Sequence, residues 1–195
     1  MTTPLLAWEQ LRAGNRSLFG QLPNQPIAAV FRCSDIHFSN EEVFSQPSGS
    51  LIDISTWGHL LDTSVLGSIE YAVETLEVPL IVALGHDDCP AMHAALRAWE
   101  TAEMPDGAMR PAVEHALLSV VSRGTPADSV ESVAAAHIVE TGVALMQRSP
   151  VISSRIDTQA CGIVCATYGS VDRQIRVHAT FGAVADNTDT LVELV

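Results

Sequence analysis

The sequence predicts an α/β protein, one domain over residues 1–195 with a central, mostly parallel β-sheet flanked by helices. Residues 27–31 and 80–84 are short apolar runs with β-branched members, which is typical of buried strands. The segments between such runs carry apolar residues at helical spacing, so strands and helices alternate along the chain. A chain of 195 residues is also long enough to bury one sizeable core. Together these patterns favour parallel pairing with right-handed crossovers.

The elements follow from local patterns. Apolar side chains recur at helical spacing over residues 5–19, so residues 1–20 are expected to form an N-terminal helical arm, which we expect to lie over a partner subunit. The following elements are then predicted in order: strand 27–31, a short helix around 41–44, strand 51–54, a helix capped by Asp62 or Thr63, strand 80–84, a helix from Cys89, helices 112–121 and 129–147, and strands 163–168 and 175–180. A short turn joins the last two strands, which places an antiparallel edge strand near the C-terminus.

Composition limits the partners. The formal net charge is -13, which argues against nucleic acid or an anionic membrane surface, because both favour clustered Lys and Arg. No apolar run is long enough to cross a bilayer, and no basic segment followed by an apolar one opens the chain. We therefore expect a cytoplasmic protein. Its four cysteines are expected to serve in metal binding or packing rather than in disulfides, and Cys161 and Cys165 are interpreted as core residues.

Metal-ligating residue types stand where two predicted strands end. His86 and Cys89 occupy the turn after strand 80–84, and Cys33 follows strand 27–31. The carboxyl ends of parallel neighbours meet at one edge of a sheet, so these side chains are expected to converge. Two thiolates and one imidazole leave the fourth position of a tetrahedral zinc site free for water, as in catalytic zinc sites. The pattern therefore predicts a Zn²⁺ site.

Several motifs resemble those of the β-class carbonic anhydrases, over nearly the whole chain. The matching segments are Cys-Ser-Asp-Ile-His at 33–37, Ser-Thr-Trp-Gly at 55–58, Gly-Ser-Ile-Glu-Tyr-Ala at 67–72 and Gly-His-Asp-Asp-Cys-Pro at 85–90. The resemblance implies interconversion of carbon dioxide and bicarbonate, and assembly as a homodimer or homotetramer. It also implies that Cys33, His86 and Cys89 bind zinc, while Asp35 accepts a hydrogen bond from zinc-bound hydroxide.

The chain departs from the family pattern around this site. The family has an arginine two positions after the aspartate, which holds the carboxylate off the metal, whereas this chain has His37. A histidine offers fewer donors and is neutral over much of the physiological pH range. Asp35 is therefore a candidate fourth ligand as well as a candidate catalytic residue with His37. Either protonated His37 replaces the arginine at lower pH, or it is tolerated because hydration is no longer required.

Further departures alter the predicted substrate cleft. Ser55 replaces a family arginine, and Pro90 replaces a glycine and so removes a backbone N–H. Trp57 brings a large ring beside Gly58 and His59, where His59 is a candidate proton shuttle. The other histidines outside the predicted zinc site are interpreted as surface or hydrogen-bonded positions: His93, His115, His137 and His178.

Three functions remain open from the sequence. The first is zinc-dependent hydration of carbon dioxide, weakened by loss of the arginine. The second keeps the zinc site but hydrolyses another small electrophile in a more apolar cleft. The third is a zinc-stabilised, non-catalytic homologue in which Asp35 completes the metal shell and the protein acts through its oligomeric surface.

Overall fold

The computed structural model describes residues 2–15 and 25–184. Its helices are α1 (Pro4–Asn15), α2 (Asn40–Phe44), α3 (Thr63–Glu74), α4 (Pro90–Thr101), α5 (Arg110–Arg123), α6 (Val130–Arg148) and α7 (Pro150–Asp157). Its strands are β1 (Ala28–Cys33), β2 (Leu51–Thr56), β3 (Leu80–His86), β4 (Gly162–Tyr168) and β5 (Ile175–Gly182), and short 3₁₀ turns lie at Trp57–His59 and Gly107–Met109. The predicted β-α alternation is confirmed.

The five strands form one sheet in the order β2-β1-β3-β4-β5. All neighbours run parallel except β5, which is antiparallel to β4, so the predicted antiparallel edge strand is also confirmed. Every residue of the central strand β3 is buried, as expected of a parallel strand covered by helices on both faces. The crossovers bring the carboxyl ends of β1, β2 and β3 to one edge.

Two apolar clusters cover the faces of the sheet. One joins Phe31, Ile81 and Ile163 to helices α3, α6 and α7. The other joins Val30 and Val82 to the N-terminal helices, which include Trp8 and Leu11 of α1. The chain thus buries one face of its first helix against its own sheet, and the contact of this arm with a partner subunit stays a prediction. The predicted arm residues 16–20 lie outside the described part of the chain.

A helix that the sequence interpretation missed follows α6. Ser149 caps α7 with its hydroxyl, which accepts a hydrogen bond from the N–H of Ile152 at 3.1 Å, and Pro150 occupies the first helical turn. A Ser followed by Pro is a recognised start of a helix, so the pattern was present in the sequence. Among the described residues, no helix is both long and apolar enough to span a membrane.

Candidate metal centre

Four side chains with metal-binding atoms meet where β1 and β3 end. Cys33 is the last residue of β1, His86 is the last residue of β3, and Asp35 lies two residues after Cys33. Cys89 is the N-cap of α4, and Pro90 begins that helix. Ligand atoms of all four residues lie within 4.8 Å of one another. Parallel pairing of β1 with β3 accounts for this convergence, because it places the two strand ends side by side.

The two thiols form a buried, coupled pair. Their sulfur atoms are 3.8 Å apart, and the backbone N–H of Gly58 donates to Cys33 Sγ over 3.0 Å. The hydrogen bond with Cys89, together with burial, raises the pKa of Cys33, whereas the same hydrogen bond lowers the pKa of Cys89 against the opposing effect of burial. The two pKa values shift in opposite directions because this hydrogen bond favours the proton on Cys33 and the negative charge on Cys89. A divalent metal would stabilise both thiolates, because metal binding releases the thiol protons.

His86 presents one ring nitrogen to this cluster. Its Nδ1 donates to the carbonyl oxygen of Asp87 over 2.8 Å, which leaves Nε2 to face Asp35 Oδ1 at 3.0 Å. Burial opposes a charge on the ring, but contacts with Cys33 and Asp35 outweigh it and raise the pKa of His86 to about 8. A carbonyl that fixes the tautomer in this way is the usual support of a metal-binding histidine.

Asp35 lies inside the cluster rather than away from it. The side chain of Asp35 is 20% exposed, and its Oδ1 lies 3.0 Å from Nε2 of His86. Asp35 also interacts with the thiol of Cys33, whose pKa it helps to raise. The side chain of His37 is exposed and makes no hydrogen bond or ion pair in the described part of the chain. The histidine therefore does not occupy the position of a clamp on Asp35 in this conformation.

An open cleft of about 430 Å³ borders the carboxylate. Apolar groups form one wall of the cleft, whereas its other lining residues are mostly polar or charged. The apolar wall consists of Ile36, Phe38 and Tyr168, and the rest of the lining of Ser34, Asp35, His37, His86, Asp87, Asp88, Pro90 and Ser170. The ring of Phe38 packs edge to face on that of Tyr168, with centroids 5.9 Å apart. A small, uncharged ligand could therefore reach Asp35 along an apolar wall.

The predicted cleft residues 57–59 lie on the other side of the cluster. Trp57 packs against the apolar group that contains Cys33 and Cys89. Gly58 has φ +64°, and a Cβ there would lie 2.9 Å from that of Ala91. His59 is buried, donates from Nε2 to the Leu84 carbonyl over 2.8 Å, and lines a small internal cavity. Burial lowers the pKa of His59 to about 3, so the ring is neutral near pH 7 and unsuited to carry a proton to solvent.

Two supporting features were not found in the sequence. His137 on α6 is buried, and its Nε2 donates to the Gly58 carbonyl over 2.9 Å, so it fixes the turn that contacts Cys33. Arg32 pairs with Asp53 and also reaches the loop that carries Asp35. Arg32 directly follows the apolar run 27–31, and Asp53 lies inside the next predicted strand. These two positions were the only features of the sequence that could have indicated the pair.

Comparison with known proteins agrees with this architecture. The family model described as "Carbonic anhydrase" matches residues 28–175. "Carbonic anhydrase 2" of Mycobacterium tuberculosis is 39% identical over 184 residues, covering 86% of this chain and 89% of the relative. "Carbonic anhydrase" of Mycolicibacterium smegmatis is 36% identical over 202 residues, covering 95% and 98%.

Solved structures share the fold at lower identity. The Coccomyxa β-carbonic anhydrase in complex with acetazolamide superimposes with a TM-score of 0.67 at 17% identity, covering 78% of this chain and 71% of that one. A tetrameric β-carbonic anhydrase of Sordaria macrospora gives a TM-score of 0.67 at 18% identity, covering 80% and 81%. The matched family model, the two relatives and the mixed sheet lead to one assignment: the chain belongs to the carbonic anhydrase family, in its β class.

Proposed function

We propose that this chain catalyses the zinc-dependent, reversible hydration of carbon dioxide to bicarbonate. The observation that carries the proposal is the convergence of Cys33, Asp35, His86 and Cys89, with ligand atoms within 4.8 Å. The names of the relatives, which are carbonic anhydrases over most of the chain, support the reaction. Two thiolates and an imidazole are the donors that zinc prefers, so the residues present fit that ion.

Each residue then has a defined part. Cys33, His86 and Cys89 would hold the zinc ion, which would supply a coordinated water with its pKa lowered to about 7. The carbonyl of Asp87 keeps the His86 ring in the tautomer that presents Nε2. Asp35 accepts a hydrogen bond from the attacking water and orients it toward carbon dioxide in the cleft. The apolar wall of Ile36 and Phe38 suits an uncharged substrate.

Asp35 also limits the reaction. Its Oδ1 lies 3.0 Å from His86 Nε2, inside the cluster that would hold the ion, so the carboxylate could itself serve as a fourth ligand in place of water. Hydration therefore requires Asp35 to move outward, toward the exposed His37. Protonated His37 would attract the displaced carboxylate, and this is the catalytic part that we assign to it.

The same observation favours a second candidate. If Asp35 stays on the metal, four protein ligands close the shell, which is the arrangement of structural zinc sites. The protein would then be a zinc-stabilised member of the family without hydratase activity. The position of Asp35 beside His86 supports this alternative as directly as the relatives' names support the enzyme.

Assembly and location are part of the same proposal. Homodimer or homotetramer formation is supported by large apolar side chains that remain exposed on α4 and α5, among them Trp99, Leu118 and Val121. A cytoplasmic location is supported by the four cysteines, which are all unpaired, because disulfides are rare where thiols are kept reduced.

The deciding experiment is stopped-flow hydration of carbon dioxide by protein of measured zinc content, from mildly acidic to alkaline pH. Turnover that rises with pH supports the enzyme. A zinc-loaded sample with no turnover above buffer overturns it and leaves the closed alternative. Cys89→Ser is expected to lose zinc and activity together. Cys161→Ser is the matched control, because Cys161 is a buried thiol outside the cluster and a serine hydroxyl can keep its bond to the Gly162 carbonyl.

A further inference from the structure

The guanidinium of Arg32 lies behind the loop that carries Asp35. Arg32 precedes Cys33 in β1, and because side chains alternate along a strand, it points to the opposite face. Its side chain is only 15% exposed. Nε donates to Asp53 Oδ1 over 2.9 Å and Nη2 donates to Oδ2 over 2.7 Å, which makes a bidentate pair between β1 and β2.

The remaining end of the same guanidinium holds the loop backbone. Nη1 donates to the carbonyl oxygens of Ile36 and Phe38, each over 3.2 Å. These two carbonyls flank His37, and the loop is also fixed at its start, where the N–H of Ser34 donates to the Thr56 carbonyl over 3.1 Å. Asp35 thus lies between two anchored residues.

We propose that Arg32, oriented by Asp53, is the positioning residue that holds Asp35 in the metal cluster. His37 makes no such contact. Asp35 is therefore held at its carboxylate by His86, over 3.0 Å, and from behind by the anchored backbone of its loop. Arg32 then controls how readily the fourth metal position opens. This inference rests on the metal site of the proposed function, and it holds whether or not the site turns over.

A lysine at position 32 could not make the same set of hydrogen bonds. An ammonium is a compact charge with three donors, whereas the planar guanidinium binds a carboxylate with one edge and two carbonyls with the other. Arg32→Lys is therefore expected to keep the charge between the strands and to release the loop. Asp53→Asn keeps Arg32 but weakens its orientation, so it is expected to act in the same direction with a smaller effect.

The test measures access to the fourth position directly, with thiocyanate as a probe of the cobalt-substituted protein. Absorption spectra give the thiocyanate affinity and show whether four protein ligands surround the cobalt. Arg32→Lys is expected to bind thiocyanate about tenfold more tightly than the unchanged protein at neutral pH, and Asp35→Ala sets the limit of a fully open site. Arg110→Lys is the matched control, because Arg110 pairs with Glu114 over 2.7 Å on the exposed face of α5.

The outcomes separate the two proposals. An unchanged affinity in Arg32→Lys overturns the inference, as does an unchanged protein that already binds as tightly as Asp35→Ala. If Arg32→Lys fails to fold, Asp53→Asn decides in its place: tighter binding supports the inference and unchanged binding overturns it. A shift in thiocyanate affinity without hydration in any variant would overturn the proposed function and leave the role of Arg32 intact.

Discussion

Two loops at the same edge of the sheet are built differently. The loop after β2, residues 57–61, is enclosed, and its residues Gly58 and His59 are buried. The N–H of Gly58 donates to Cys33 Sγ, its carbonyl accepts from the His137 ring, and the His59 ring donates to the Leu84 carbonyl. The loop after β1, residues 34–39, borders the open cleft, and Ser34 and His37 are exposed.

The two loops are therefore expected to have different functions at the proposed metal centre. The enclosed loop supports one of the proposed zinc ligands, since Gly58 donates to the sulfur of Cys33. The open loop carries Asp35, the one member of the cluster whose presence on the metal would determine whether water can bind. A metal centre of this kind needs a rigid side that keeps the ion and an adjustable side that admits the reactant. Substitutions in the two loops should therefore have different effects.

The largest effect is expected from Gly58→Ala in the enclosed loop. A methyl group there would lie 2.9 Å from the Ala91 Cβ and 3.0 Å from the Ala112 Cβ, at φ +64°. Strain and overpacking together are expected to lower the free energy of unfolding by about 3 kcal/mol and to weaken metal binding. Chemical denaturation and zinc content measure both.

The control for this variant is Gly67→Ala. Gly67 is an exposed residue of α3, and no atom lies within 4 Å of the place that a methyl group would take there, so alanine is expected to raise stability by about 0.5–1 kcal/mol. Equal losses of unfolding free energy in Gly58→Ala and Gly67→Ala would contradict the distinction between an enclosed glycine and an exposed helical one.

The pH dependence of stability gives an intermediate effect. Burial lowers the pKa of His137 to about 4, below the ordinary value of about 6.5, so the unfolded chain takes up the proton first as the pH falls. The stability that neutral His137 supports is therefore complete above pH 6.5 and is lost toward pH 4. Between pH 7 and pH 5 the loss is expected to be about 2 kcal/mol.

Comparison with His137→Gln isolates this contribution. His59 and His86 are present in both proteins, so their titration largely cancels in the comparison, and the stability difference between the two proteins should shrink by about the same amount over that range. The amide of glutamine can still donate to the Gly58 carbonyl, which keeps the variant folded. A difference that stays constant with pH would show that His137 does not titrate as the structure indicates.

The smallest effect is expected in the open loop, from Ser39→Ala. The Ser39 hydroxyl accepts from the N–H of Glu42 over 3.2 Å, and the Glu42 carboxylate accepts from the N–H of Ser39 over 2.8 Å, which forms a capping box at α2. Loss of the cap is expected to cost about 1 kcal/mol without loss of zinc. Ser48→Ala, at an exposed position nearby, should change stability by less than about 0.5 kcal/mol. Zinc loss in Ser39→Ala would mean that the open loop also retains the ion.

The sequence was sufficient for the strands and for the convergence of Cys33, His86 and Cys89. Apolar runs marked β1 and β3, and the rule that parallel strands end at one edge brought their ligands together. Apolar periodicity and capping residues predicted the remaining elements in order, and only α7 was missed among the helices described.

The support around the ligands could not be predicted in the same way. The pairing of Arg32 with Asp53 depends on the register that sets Asp53 opposite Val30, which no local pattern fixes. The bond from His137 to Gly58 spans 79 residues of sequence, and a histidine in an apolar helix face gives no indication of its partner. The position of Asp35 depends on both the register and the loop conformation.

The separation of the ligands in sequence bears on how the protein folds. Cys33 and Cys89 are 56 residues apart, and β2 and α3 lie between them. Contacts between distant parts of a chain form late, because loop closure costs entropy before the contact is made. The site therefore assembles only when the crossover from β1 to β3 is complete. In zinc-loaded protein, metal release during denaturation should therefore coincide with global unfolding, so zinc release would measure the loss of the whole fold.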